Sequence, residues 1–473
     1  ILFGRDSTPF ITAVEFDGEN VVEIFFRKRN EVTSKKESFK PFIFLEDTIY
    51  MDGWSGTYEA KRLKGSAHYK YLVLTESWSD LQRLLKHFKK TTGATPASLS
   101  APFFYLNDPV HQYLLFSGRT LFKEISFGDL LRLQLDIETY CAEGYEFSNP
   151  YRDEDRITVI SLSDSDGWEY AISGREYDEK EMLEIMVEQI NLRDPDVIEG
   201  HNIFNFDLTY IEARARRYKV PLAIGRNKQI IKSHSSRLNI AERTISYKKY
   251  EVYGRHIVDT YLLVQMYDVT ARNLESYGLK NVAKHFNVAS PERVYIKPEK
   301  INWYYDNKPD ELLKYGMDDV RETRAISEIL SQSFYYQTRI FPYSFQNTVI
   351  RGNATKIDSL FIREYINSNH SIPRTPQARE YSGGYTDMFY QGVVNRILYC
   401  DVQSLYPSIM LSFNYFPKND VLNIFRSLLG DLKDFRMKAK EMVSVAKSES
   451  EKMYFDALQA TFKILINSFY GYL

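Results

Sequence analysis

The chain has 473 residues, 61 Lys and Arg against 63 Asp and Glu for a net charge of −2, and 44% apolar residues. At roughly 150 residues per domain this is about three domains with enough apolar material for several cores, which excludes a disordered tail, a collagen and a small disulfide scaffold. Cys141 and Cys400 are too few and too far apart for a disulfide framework or a thiolate zinc site. No apolar run approaches the roughly 20 residues of a membrane span, and the opening ILFGRDSTPF lacks the order of a signal peptide. The expectation is a soluble, intracellular, multidomain protein with no membrane partner. Near-zero charge does not decide about nucleic acid, because cations can concentrate locally while carboxylates elsewhere hold metal.

Residues 1–130 alternate β-rich runs, FITAVEF, VVEIFF and YKYLVL, with the helical patch SWSDLQRLLKHFKK, and read as an α/β domain. Arg83, Lys86, Lys89 and Lys90 fit the solvated face of an amphipathic helix better than a phosphate site. From 131, LRLQLDIETY reads as a buried strand, RITVISLSD as its neighbour and EKEMLEIMVEQINLRDP as a helix closed at Asp194-Pro195. DVIEGHNIF reads as a further strand and DLTYIEARARRYKV as a helix. Residues 243–258 alternate like a hairpin, and 310–332 read as one long helix. Pro373, Pro376, Gly383 and Gly384 punctuate a junction before a predicted strand, RILYCDVQ. Two antiparallel helices separated by Ser448-Glu449-Ser450 close the chain.

Asp136-Ile137-Glu138 places two carboxylates on one face of a strand, where a divalent cation is the simplest way to neutralise them. Asp207, at the start of a helix after EGHNIFN, projects toward the same sheet edge, and Asp319 lies one helical turn after Tyr315. Four acids and a tyrosine suit a two-metal phosphodiester hydrolase, with Tyr315 orienting the attacking water.

LDIET, GHNIFNFD and YGMDD, in that order, resemble the three exonuclease motifs of family B DNA polymerases. The resemblance implies a ribonuclease H-like proofreading domain that removes 3′-terminal nucleotides. Asp136, Glu138, Asp207 and Asp319 would be its metal ligands, and Asn202 and Phe206 contacts near the primer terminus. YGMDD also looks like the second metal-binding motif of polymerases, but its place before the palm signature and its helical context favour the exonuclease reading. Asp318 is then a solvated or helix-packing neighbour.

YCDVQSLYPSIM, residues 399–410, contains D-x-x-S-L-Y-P-S and resembles the first palm motif of the same family. On that resemblance Asp401 binds both metals, the Val402 carbonyl supplies another oxygen, the amides after Ser404 (Leu405 and Tyr406) hold triphosphate, and Tyr406 excludes a 2′-hydroxyl. Leu458, Phe462, Leu465 and Phe469 make an apolar stripe on the last helix, away from Lys463, Asn467 and Tyr470. K-x-x-x-N-S-x-Y-G is similar to the fingers motif, which implies that Arg436, Lys440 and Lys463 bind the incoming triphosphate. Asn467 and Tyr470 would line the nascent pair, and Gly471 would let backbone approach DNA. Tyr381, Gly383 and Gly384, in YSGG, resemble the linker motif that contacts template backbone.

The expected fold is a multidomain α/β chain: an N-terminal α/β domain, 1–130; a ribonuclease H-like exonuclease domain, 131–335; a helical connection packing on the N-terminal domain, 336–372; the first part of an α+β palm, 373–425; and a two-helix fingers element, 426–473. The second palm motif and the thumb are absent, so a second chain or a C-terminal segment is expected to carry them. The resemblance implies template-directed DNA synthesis with 3′–5′ proofreading, two Mg²⁺ per active site with Mn²⁺ as a substitute, and primer-template DNA, deoxynucleoside triphosphates and a sliding clamp as partners. It implies a cytoplasmic, nucleoid-associated place in a prokaryote. The alternatives are a stand-alone 3′–5′ exonuclease and a non-catalytic, polymerase-derived DNA-binding scaffold.

Overall fold

The computed structural model describes residues 2–241, 243–374, 385–400, 402 and 404–469. Near the N-terminus, β1 (Ile11–Phe16), β2 (Val21–Lys28) and β3 (Glu31–Ser38) form an antiparallel sheet in that order. A second sheet has the order β5-β6-β4-β7, from β4 (Phe42–Leu45), β5 (Tyr58–Arg62), β6 (Tyr71–Thr75) and β7 (Phe103–Phe104). Helix α1 (Trp78–Thr92) starts at the Ser77 cap and buries Leu81, Leu84 and Phe88. Its basic residues lie opposite that stripe, with Arg83 paired to Asp80, so this is the solvated face that the periodicity predicts. Helix α2 (Pro109–Ser117) has its proline in the first turn, where no N–H is needed.

The central sheet positions the acids. It runs β10-β9-β8-β11-β14, from β8 (Arg132–Thr139), β9 (Ile157–Asp164), β10 (Glu169–Ser173), β11 (Val197–Gly200) and β14 (His256–Asp259). β8 is antiparallel to β9 and parallel to β11, which is parallel to β14. Odd positions of β8, Leu133, Leu135 and Ile137, enter the apolar core. Even positions, Arg132, Gln134, Asp136 and Glu138, share the other face. Helix α3 (Glu179–Arg193) opens with an Asp178–Glu181 capping box and stops where Asp194 turns left-handed before Pro195. Helix α4 (Asp207–Tyr218) follows β11.

The hairpin lies upstream of its expected place. Its arms are β12 (Lys232–Ile240) and β13 (Arg243–Glu251), paired from Lys232↔Glu251 to Ile240↔Arg243, and the chain beyond joins the central sheet as β14. KSHSSRLNI is too polar to announce a strand, yet pairing with β13 buries Leu238 and Ile240. Cross-strand partners override weak local preference here.

Helices α5 (Thr260–Ala271), α6 (Leu279–His285) and α7 (Ile301–Asn307) precede the 30-residue α8 (Pro309–Thr338). Packing of α8 on the sheet depends on Gly316: a Cβ there would lie 2.6 Å from Ser161 Oγ on β9. Helices α9 (Phe345–Ile350) and α10 (Asn353–Asn367) follow, and the buried Arg363 of α10 donates to the Leu2 carbonyl at 3.1 Å.

The strand predicted from RILYCDVQ does not form over its described residues 396–400, where Ile397, Leu398 and Tyr399 are exposed. A strand exists through pairing, and these residues belong to no sheet among the described residues. Helix α11 (Leu405–Phe413) follows, then the antiparallel pair α12 (Ile424–Val445) and α13 (Glu449–Ser468). Phe425, Leu428, Leu429 and Leu432 face Phe462, Leu465, Ile466 and Phe469 in a core continuous with Tyr335 and Tyr336 at the end of α8. The apolar stripe expected on the last helix is therefore in place. No helix among the described residues is long and apolar enough to cross a membrane.

Candidate functional site

Asp136 and Glu138 project from β8 toward α8, which presents Tyr315 and Asp319 on successive turns. One carboxylate oxygen from each of Asp136, Glu138 and Asp319 lies within 4.8 Å of the others. Asp207, buried at the first turn of α4, adjoins them: its Oδ1 accepts the Ile137 N–H at 3.1 Å, tying the helix to the strand between the two β8 acids. The four acids named from sequence thus come from three elements to one place.

The charges are not balanced by the acids themselves. Burial, and then the charge of Asp319, lifts Glu138 to about 8. Burial also lifts Asp207 to about 8, against the hydrogen bonds it accepts. Asp136 is pushed well above the usual carboxylate range by burial and by its three acidic neighbours. Its Oδ2 is buried with no hydrogen-bond partner among the described residues. An all-oxygen donor set that resists ionisation until a positive charge arrives, with one oxygen free, fits a hard divalent cation.

Two cations that the sequence motifs did not contain complete the surroundings. Lys280 of α6 donates to Asp319 Oδ2 at 2.8 Å and sits 4.4 Å from the Tyr315 ring centre. Arg293, wholly buried, contacts Asp319 and pairs with Glu322 at 2.8 Å. Burial raises the Tyr315 phenol, as do the charges of Asp319 and Glu138, so it remains a protonated donor. Asp318, buried like its neighbour, accepts from Val294 N–H, pairs with Arg321 at 3.1 Å and lies 3.7 Å from Arg293, so it meets the cluster through that shared guanidinium. YGMDD lies inside α8, in keeping with the helical context that separated it from a polymerase motif.

A third residue that sequence reading missed, Asp259, shapes the rim. Its carboxylate accepts N–H bonds from Asn202 at 2.8 Å, Phe204 at 3.3 Å and Tyr261 at 3.0 Å, clamping the β11–α4 loop while capping α5. Asn202 there has a left-handed φ of 66°, and Phe206 remains 39% exposed beside Asp207. Lys280, Arg293 and Asp259 carry no local signature, because each acts through a partner distant in sequence.

The second set of named residues is only partly assembled. Ser404, with φ 52°, begins α11, and its Oγ accepts from Arg436 Nη1 at 2.6 Å. Val402, Leu405 and Tyr406 are exposed, as are Lys440, Lys463 and Asn467 on α12 and α13. Asp401, Tyr381, Gly383, Gly384, Tyr470 and Gly471 lie outside the described residues.

Residues 122–282 match the family model for the exonuclease domain of DNA polymerase family B. DNA polymerase 1 of Pyrococcus abyssi is 26% identical over 96% of this chain, which spans 63% of that protein's length. The DNA polymerase of Thermococcus gorgonarius is 27% identical over 73% of this chain and 47% of its own. The structure of the family B DNA polymerase from the archaeon Pyrobaculum calidifontis superposes with a TM-score of 0.71 over 98% of this chain and 67% of that one, at 19% identity, a likeness of fold. Residues 122–282 are thus similar to the exonuclease domain of DNA polymerase family B, and the chain is similar in sequence to archaeal DNA polymerases, of whose length it spans 63% in the Pyrococcus abyssi protein and 47% in the Thermococcus gorgonarius protein.

Proposed function

We propose that the chain hydrolyses the 3′-terminal phosphodiester of an unpaired primer end at the acidic cleft, as the proofreading part of a DNA polymerase. The observation that carries this reading is the convergence of Asp136, Glu138 and Asp319 within 4.8 Å beside the buried Asp207. These four carboxylates would hold two Mg²⁺, with Mn²⁺ able to substitute. The ions, when bound, would supply Lewis-acid activation of water and neutralise charge at the phosphodiester. Tyr315 donates its phenolic hydrogen to the attacking water and orients it. Lys280 and Arg293 hold Asp319 in place and offset its charge. Asn202 and Phe206 contact the terminal nucleotide at the rim. A mismatched end reaches the cleft more readily because less pairing and stacking is lost on fraying.

Template-directed synthesis belongs to the same proposal. Asp401 and the Val402 carbonyl would bind metal, Ser404, Leu405, Tyr406, Arg436, Lys440, Lys463 and Asn467 the deoxynucleoside triphosphate, and Tyr381, Gly383, Gly384, Tyr470 and Gly471 the DNA. A sliding clamp is a further proposed partner. A stand-alone exonuclease is the second reading, favoured by one observation: residues 396–400 pair with no described strand, whereas the acidic cleft is built by described elements alone.

The test is primer length on a primed template with Mg²⁺, with and without the four deoxynucleoside triphosphates. Shortening is the expected result. Extension would assign synthesis to this chain itself. An unchanged primer, from protein shown to be folded by circular dichroism, would overturn the hydrolytic reading.

A further inference from the structure

One buried carboxylate beside the cleft lies outside the cluster of four. Glu322 is on α8, one turn beyond Asp318 and Asp319 and on their side of the helix. It is 3% exposed, and neither of its oxygens has a hydrogen-bond partner among the described residues. Its one ion pair among them is with Arg293, whose Nε lies 2.8 Å from Glu322 Oε1. Burying a carboxylate with unused acceptors against a single cation is unfavourable, and an apolar pair of similar volume in the same space would be as stable or more so. Stability of the fold therefore does not account for Glu322.

The surroundings of Arg293 do account for it. The guanidinium is wholly buried, with the ring centres of Tyr315 and Tyr295 at 5.2 and 5.3 Å. It donates to the Val294 carbonyl at 3.1 Å and contacts Asp319 Oδ1 through Nη2. Asp318 stands farther off, at 3.7 Å, and has Arg321 as a closer partner at 3.1 Å. The local balance of charge thus lies between Arg293, Asp319 and Glu322. A guanidinium facing Asp319 alone would hold that carboxylate still but would also cancel its charge, leaving less for a divalent ion. A second carboxylate on another nitrogen of the same guanidinium removes the conflict. Lys280, on the other oxygen of Asp319, is 35% exposed and can turn out to water, whereas Arg293 cannot.

We infer that Glu322 is a positioning residue of the acidic cleft: it offsets the charge of Arg293, so that the guanidinium fixes Asp319 without claiming the negative charge a divalent ion needs. Glu322 acts through Arg293. Outer partners of metal ligands commonly change the affinity of a site by roughly 10- to 100-fold. The inference rests on the reading of Asp136, Glu138, Asp207 and Asp319 as metal ligands.

Mn²⁺ is titrated into the metal-free full chain at one fixed pH, and the free ion is followed by its electron paramagnetic resonance signal. The proteins are the wild type, Glu322→Gln, Glu322→Asp and the double variant Arg293→Gln with Glu322→Gln. Glu322→Gln keeps the shape of the side chain and leaves the guanidinium unopposed, and is expected to weaken binding about tenfold. Glu322→Asp keeps the charge and should return most of the affinity. The double variant strands no buried charge; it should bind Mn²⁺ more tightly than Glu322→Gln, because the unopposed cation is gone. Thermal melting in EDTA is the structural control. A Glu322→Gln protein that melts at a lower temperature yet binds Mn²⁺ like the wild type would reduce the pair to a packing contact and overturn the inference. So would a double variant that binds no more tightly than Glu322→Gln. A wild-type chain that neither binds Mn²⁺ nor shortens a primer would remove the metal reading and this inference together, whereas Mn²⁺ binding that Asp136→Ala abolishes and Glu322→Gln leaves at the wild-type value would remove the inference alone.

Discussion

Strand β8, RLQLDIET, and the segment RILYC at 396–400 both bring apolar residues up to a motif aspartate, yet their fates differ. β8 lies between β9 and β11, with Leu133, Leu135 and Ile137 in the core. Residues 396–400 pair with no described strand, and Leu398 is 87% exposed. The two acids of β8 can therefore be held against their mutual repulsion, because moving either would also move a fully packed strand. The lesson is that carboxylates are gathered where the neighbouring elements bear the electrostatic cost of holding their charges together.

The comparison can be broken most directly at the cleft. Asp136→Ala is expected to reduce primer shortening to background in a gel assay while leaving the circular dichroism spectrum intact; residual hydrolysis near the wild-type rate would show that the cluster is not the reacting site.

A large effect on stability is expected behind the cleft. Arg214 of α4 is fully buried and pairs with Glu179 of α3. It also donates to the Arg152 carbonyl at 2.8 Å. Arg214→Ala leaves the Glu179 carboxylate buried and unpaired, and should cost about 3–5 kcal/mol in urea denaturation. A loss within experimental error would mean that α3 and α4 are held by apolar packing alone.

The electrostatic cost itself can be measured. Glu138 and Asp207 sit near 8 in the folded chain, above their ordinary values of 4.5 and 3.8, so the folded state keeps protons that the unfolded state has released. Stability of the metal-free protein should fall as pH rises from the ordinary carboxylate range toward about 8. Mg²⁺ should remove most of that decline, since it replaces the lost protons with bound positive charge. Denaturation midpoints on both sides of this range, in EDTA and in Mg²⁺, give the answer; a flat profile in EDTA would contradict the account of the cluster.

The smallest effect is expected in the other segment. Leu398→Ser should shift the denaturation midpoint by no more than about 0.5 kcal/mol, as for a surface position. A substantially larger loss would mean that residues 396–400 are packed in solution, and the contrast with β8 would disappear.

Much of the cleft was legible in the sequence because its signals are local. Asp136 and Glu138 share a face through the two-residue period of a strand, and Tyr315 and Asp319 through the turn of a helix. Lys280, Arg293 and Asp259 were not legible, since nothing within a few residues of them distinguishes them from ordinary surface or capping residues. The hairpin was misplaced for the same reason: the polar run 232–240 becomes a strand only through β13.

The sequence by itself determined the helices α1, α3, α4, α8, α12 and α13, the strands β8, β9 and β11 of the central sheet and the order of the acid-bearing motifs, because periodicity, caps and turns act over a few residues. Tertiary structure alone decided which cations meet Asp319, where the hairpin pairs, and whether an apolar run after residue 395 becomes a strand. Those outcomes depend on partners far away in the chain, and a side chain's burial, charge state and pairing are properties of the surface it meets.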